Sequence, residues 1–206
     1  MNLKPKYIMI INSDIFKIKS NNIIPQKGYL LTSEPFLTEK HFRRSVILII
    51  EYDESGGMGL VLNKNCNITL NSLIEDLNCQ EDIPLFCGGP VSKDKLFYIH
   101  KLGNIIPGSV KIAEDLYIDG DFETILSYIR SGNKIEGVIK FFLGYSGWEP
   151  QQLKDEIKDN SWVVSNDHKN LDILMNQDDN LWKKSLLNLN STYHHWINYP
   201  LDPSFN

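Results

Sequence analysis

Apolar residues recur along this chain with two alternating periods, and the switches between them predict short strands interleaved with helices. Gly28-Tyr-Leu-Leu-Thr-Ser33 and Val46-Ile-Leu-Ile-Ile50 are β-rich runs. The second is apolar at every position, so both of its faces need cover and it is expected at the centre of a sheet. Glu51 to Gly57 has the composition of a turn and Met58-Gly-Leu-Val-Leu-Asn63 resumes an extended pattern, which together predict a hairpin. Leu70, Leu73, Ile74 and Leu77 then fall at i, i+3, i+4 and i+7, with Thr69 or Asn67 as cap, and predict a short amphipathic helix.

Pro84 to Cys87 and Leu96 to His100 read as strands on either side of a glycine-dependent bend at Gly88-Gly89-Pro90, and Ile112 to Ile118 as one further strand. A helix capped by Asp121 places Phe122, Ile125, Leu126 and Ile129 on one face, with Gly132 as its terminator. Val138 to Leu143 is extended, Gly144-Tyr-Ser-Gly-Trp148 reads as a tight turn, and a helix carrying Leu153 and Ile157 follows. Ser161 to Val164 is a strand, and Leu181, Trp182, Leu186 and Leu187 pack a last helix. Hairpins mixed with longer crossovers give an α+β fold, with a mixed, strongly bent or barrel-like β-sheet flanked by helices. The expected organisation is a partly mobile N-terminal segment over 1–26, one domain over 27–190 and an irregular C-terminal tail over 191–206.

Composition narrows the class. With 206 residues, 42% of them hydrophobic and 23% charged, the chain has the make-up of a packed globular protein. A formal net charge of -5 repels polyanions, so a nucleic-acid partner is disfavoured. Cys66, Cys79 and Cys87 form an odd set without CxxC spacing, which reads as reduced thiols and neither a disulfide framework nor a zinc site. The apolar run Tyr7 to Ile11 is too short for a signal-peptide core, and no stretch approaches the roughly 20 apolar residues of a membrane span. A cytoplasmic location is expected.

Four stretches, in order, resemble the AlgH/YqgE family: Phe42-Arg-Arg-Ser-Val-Ile-Leu48; Gly59-Leu-Val-Leu-Asn-Lys64; Gly88-Gly-Pro-Val91 with Phe97 to His100; and Gly144-Tyr-Ser-Gly-Trp148 with Gln152-Leu153, Glu156 and Asn160-Ser-Trp162. The resemblance runs from Gly28 to about Leu187. It implies an α+β fold with a barrel-like sheet and a bacterial protein of a family without a settled activity. The family takes its name from a role proposed in regulating alginate synthesis, and similar proteins carry the label of transcriptional regulator. No helix-turn-helix spacing or basic recognition helix accompanies that label here.

Several residues have the chemistry of a site. Ser146 sits between a predicted strand and a predicted helix, as a hydrolase nucleophile would, but Trp148 stands where the G-x-S-x-G turn needs a small residue. Asp167 and His168 follow in hydrolase order, yet adjacent side chains point apart and poorly serve as orienter and base. Gly88-Gly89-Pro90 lacks a P-loop lysine, and Gly56-Gly57-Met58-Gly59 is followed by a strand, so both read as backbone devices. His100 has no second ligand at useful spacing, and His194-His195 cannot enclose an ion unaided, so no metal and no cofactor is expected. Arg43-Arg44 and Lys183-Lys184 read as solvated charge. Gln152 and Glu156 lie one helical turn apart beside the glycine turn. The candidate ligand-binding set is therefore Asn63, Gly89, His100, Tyr145, Trp148, Gln152 and Glu156, with a buried polar network as the competing reading. The expected function is a non-enzymatic binding or regulatory module with a protein or small-molecule partner. A hydrolase using Ser146 or His100 and a direct DNA-binding regulator are the alternatives, and a homo-oligomer through Trp182, Tyr193 and Trp196 is left open.

Overall fold

The computed structural model describes residues 21–175 and 179–200. Most of the N-terminal segment expected to be mobile, and the tail beyond Pro200, lie outside the described residues. The strands are β1 (Leu30–Ser33), β2 (Val46–Asp53), β3 (Gly56–Val61), β4 (Asn65–Thr69), β5 (Pro84–Cys87), β6 (Val91–His100), β7 (Val110–Ala113), β8 (Leu116–Ile118), β9 (Ile139–Trp148) and β10 (Trp162–Ser165). The helices are α1 (Phe122–Arg130), α2 (Gln152–Lys158) and α3 (Asp179–Asn188). The fold is α+β. Ten strands form one open sheet in the order β10-β1-β2-β3-β9-β6-β8-β7, with β5 lying along β9 and β4 along β5. All pairings are antiparallel except β5 with β9, which makes the sheet mixed.

β2 is central, as its unbroken apolar run requires. Its alternate side chains enter different cores. Val46, Leu48 and Ile50 pack with Leu181, Trp182 and Leu186 of α3, whereas Ile47 and Ile49 pack with Trp148, Trp162 and Leu153 and Ile157 of α2. The other half of the sheet repeats the device: Phe141 faces Ile125, Leu126 and Ile129 of α1, while its neighbour Phe142 joins the α3 side. One core is thus shared by both halves and covered by α3, which is what a bent sheet produces. Leu48, fully buried there, would lose about 2–5 kcal/mol on truncation to alanine.

β9 makes the bend. Its residues 141–143 pair with β5 on one edge and β6 on the other, while residues 146–148 pair with β3. The segment predicted as a tight turn, Gly144 to Trp148, is therefore strand throughout. Gly144 supplies the kink at φ +68°, and a Cβ there would stand 2.7 Å from the Val91 carbonyl oxygen. The chain passing from β5 to β6 crosses the β9 backbone at Gly88-Gly89. A Cβ on Gly88 would meet the Gly144 oxygen at 2.2 Å, and one on Gly89 the Tyr145 carbonyl carbon at 2.2 Å. The two glycine motifs are thus halves of one main-chain crossing that admits no side chain between its strands.

Other departures have local causes. The helix expected over Leu70 to Leu77 shrinks to a 3-10 turn at Leu70–Ser72, because Asp76 and Asn78 adopt positive φ and Leu73 is exposed. Ile112 to Ile118 is a hairpin of β7 and β8 turning at Glu114 and Asp115, not one strand. The stretch expected to be irregular from residue 191 carries 3-10 turns over Ser191–Asn198 that bury Tyr193 and Trp196. Arg44 is not solvated: it is buried, lies 5.0 Å from the Trp182 ring centre, and donates to the Tyr199 carbonyl. Cys66 and Cys87 are bonded to each other across β4 and β5, with Cα atoms 5.3 Å apart, which corrects the reading of three reduced thiols. Cys79 is free.

Candidate functional site

Three of the seven candidate residues converge. α2 begins as expected just after β9, with Gln151 at φ +70° turning the chain into it. This brings Glu156 under the end of β9, where it accepts hydrogen bonds from three donors: the Trp148 indole at 2.9 Å, the Trp162 indole at 2.7 Å and the Gln152 amide at 2.8 Å. Gln152 in turn accepts from the Glu149 backbone N–H at 2.9 Å. The two indoles meet edge-on with ring centres 6.4 Å apart. Trp162 completes this knot although the candidate set omitted it. The Asn160-Ser-Trp162 resemblance carried the only signal, because periodicity sees β10 and α2 separately.

The remaining four sit elsewhere. Asn63, buried, accepts from the Val46 N–H and donates to the Arg44 carbonyl, both at 2.9 Å, so its amide braces the start of β2. Gly89 and Tyr145 belong to the main-chain crossing, Tyr145 packing edge-on against Phe97. His100 is fully buried between Tyr117 and Tyr98. Its Nε2 donates to the Asp119 carbonyl at 2.9 Å and its Nδ1 accepts from the Leu102 N–H at 3.1 Å, which fixes the neutral tautomer. Burial pushes its pKa down, the Asp119 carbonyl only partly offsetting this. The nearby Tyr98 hydroxyl is pushed up to about 12 by burial and by the charges of Asp119 and Asp121. Ser146 is also fully buried, its hydroxyl donating to the Gly88 carbonyl at 3.1 Å.

An open cavity of about 380 Å³ lies on the other half of the sheet, built by residues without a motif. Leu116, Ile173, Leu174 and Met175 give it apolar walls. The wall formed by 173–175 is fastened by Lys140 of β9, a buried side chain whose ammonium donates to the Ile173 carbonyl at 3.3 Å and the Met175 carbonyl at 2.7 Å, and lies 3.9 Å from the Phe86 ring centre. The Gly137 N–H adds a bond to the Leu174 carbonyl at 3.3 Å. Lys101, Lys134 and Lys169, together with His168, Asp115 and Asp172, supply the polar lining. Lys169 is engaged by Glu114. The ammonium groups of Lys101 and Lys134 have no ion-pair or hydrogen-bond partner among the described residues. The Nδ1 atom of His168 is buried without a well-formed hydrogen bond. Burial is the main reason its pKa is lowered, with Lys169 adding to the effect and Asp167, the Asn166 carbonyl and Asp115 opposing it. Among the described residues, no group of three metal-ligating side chains comes together and no helix is long and apolar enough to cross a membrane.

Comparison with known proteins agrees with this architecture. UPF0301 proteins of Bacteroides thetaiotaomicron and Bacteroides fragilis are 48% and 49% identical over 199 residues, covering 96% of this chain and all of each relative. The solution structure of the AlgH protein from Pseudomonas aeruginosa superposes with a TM-score of 0.64 at 25% identity, covering 84% of this chain and 94% of that one. A crystal structure of a Corynebacterium diphtheriae protein shares the fold, with a TM-score of 0.64 at 19% identity and 87% and 94% coverage. The family model described as AlgH-like, DUF179, matches residues 30–194, and the chain belongs to that family.

Proposed function

We propose that this protein is a non-enzymatic binding module that acts in regulation by holding a ligand, and that the cavity walled by residues 173–175 is where the ligand sits. One observation carries the reading. The groups with the chemistry of catalysis are spent inside the fold, Ser146 on the Gly88 carbonyl and both nitrogens of His100 on backbone partners, whereas the cavity presents the ammonium groups of Lys101 and Lys134, without partners among the described residues, beside apolar walls. A buried serine with no base within its hydrogen-bond partners has nothing to raise its nucleophilicity. The net charge of -5 works against a nucleic-acid partner, so the regulatory label borne by similar proteins is better served by a small molecule or a protein. In this reading the knot around Glu156 positions α2 against the sheet and contacts no ligand.

A fluorophosphonate probe and a thermal-shift screen of small metabolites test this together. The expected result is no labelling of the native chain and a stabilisation by at least one compound class, since a ligand that binds only the folded form raises its melting temperature. Labelling that disappears in Ser146→Ala would overturn the reading in favour of a hydrolase.

A further inference from the structure

The cavity beside Lys140 has a chemistry of its own, and we infer that its ligand is a small organic anion with an apolar body, its head held between Lys101 and Lys134. This deepens the binding-module reading and rests on it. A volume near 380 Å³ falls within the range of about 300–1,000 Å³ common to small-molecule sites. The apolar body would lie on Leu116, Ile173, Leu174 and Met175.

The cavity offers an anion two ammonium groups although the protein as a whole is acidic. The lining carries Lys101, Lys134 and Lys169 beside Asp115 and Asp172, and while Lys169 is engaged by Glu114, the ammonium groups of Lys101 and Lys134 have no partner among the described residues. Lysine ammoniums bind as compact point charges and suit a carboxylate or sulfonate head that needs no planar fork. The wall is held open by protein groups, because the carbonyls of Ile173, Leu174 and Met175 are all taken by Lys140 and Gly137. The site is therefore formed before the ligand arrives.

Fluorescence titration of the full chain with 8-anilinonaphthalene-1-sulfonate, beside the uncharged N-phenyl-1-naphthylamine, separates head from body. The expected result is one sulfonate bound per chain, with affinity reduced roughly tenfold in Lys101→Glu/Lys134→Glu, as loss and reversal of two rim charges implies. Lys154→Glu on α2 should leave it unchanged, and the uncharged compound should not distinguish the double variant from the native chain. Circular dichroism confirms that each variant is folded, and Lys101→Gln/Lys134→Gln replaces the double variant if it is not. If both compounds bind the native chain and the double variant equally well, the anion inference is overturned while the binding-module reading stands. If neither compound binds, the ligand class is overturned, and the binding-module reading is then decided by the metabolite screen.

Discussion

The corner around Glu156 and the cavity beside Lys140 both set charged side chains against aromatic or aliphatic surfaces, yet they use them in opposite ways. At the corner, one carboxylate absorbs three donors and its two indole neighbours are left with no free polar atom. At the cavity, one buried ammonium donates to two backbone carbonyls, and the wall so fixed stands beside Lys101 and Lys134, whose ammonium groups have no partner among the described residues. A polar cluster with every bond made stiffens a fold, whereas one with bonds to spare can hold something else. Side-chain chemistry alone does not distinguish the two.

The contrast is broken most severely at the corner. Glu156→Ala leaves two buried indole N–H groups unsatisfied, and at about 1–3 kcal/mol each the chain should lose about 4 kcal/mol in urea unfolding. Sulfonate binding, measured under native conditions, should not change. Loss of only a few tenths would mean that the knot is dispensable and its residues are available for a ligand.

The Cys66–Cys87 bond closes a loop with a sequence separation of 21 residues beside β5, so Cys66→Ser/Cys87→Ser is expected to cost about 3 kcal/mol by chain entropy. The same loss should appear in the native chain on adding reductant, with Cys79→Ser as a silent control.

Lys140→Met sharpens the comparison from the other side. It keeps the apolar stem but strips the donor from the Ile173 and Met175 carbonyls, for an expected loss of about 2 kcal/mol. Here binding should weaken together with stability, because the wall that shapes the cavity is released.

The smallest effect is on pH dependence. His100 titrates below its ordinary value of 6.5 because burial disfavours the charged ring. The unfolded chain therefore takes up the proton first. The stability His100 contributes is complete above the unfolded value and is lost as pH falls through the lowered folded one. Asp119 and Glu34 are shifted upward by burial and act in the opposite sense, but in the carboxylate range. Urea midpoints should consequently fall between about pH 7.5 and pH 5.5, and His100→Gln should flatten part of that slope. An unchanged slope would place the titration elsewhere, His168 being the next group to replace.

Much of the framework is legible in the sequence because it rests on local pattern. The unbroken apolar run Val46 to Ile50 does mark a central strand, and Asp121 does cap α1, accepting from the Thr124 N–H at 2.8 Å. The glycines misled where they act on a distant segment. Gly144 reads as a turn because its neighbours give no sign that Gly88 and Gly89 will cross it, and a kinked strand and a tight turn need the same positive φ. Cys66 and Cys87 could not be paired from an odd count. At the corner, Gln152 and Glu156 follow from helical spacing, while Trp162 arrives through the β1–β10 pairing. The cavity had no sequence signal. Its lining comes from five separate stretches between Lys101 and Met175, and Lys140 sits in a strand whose pattern only asks for apolar neighbours.

Backbone amide chemical-shift mapping with the anilinonaphthalene sulfonate tests the division between these two regions most directly. The expected perturbations centre on Leu116, Gly137, His168 and Met175, with Gly147, Gln152 and Glu156 unmoved. Shifts centred on Gly147 and α2, with those cavity amides silent, would contradict it.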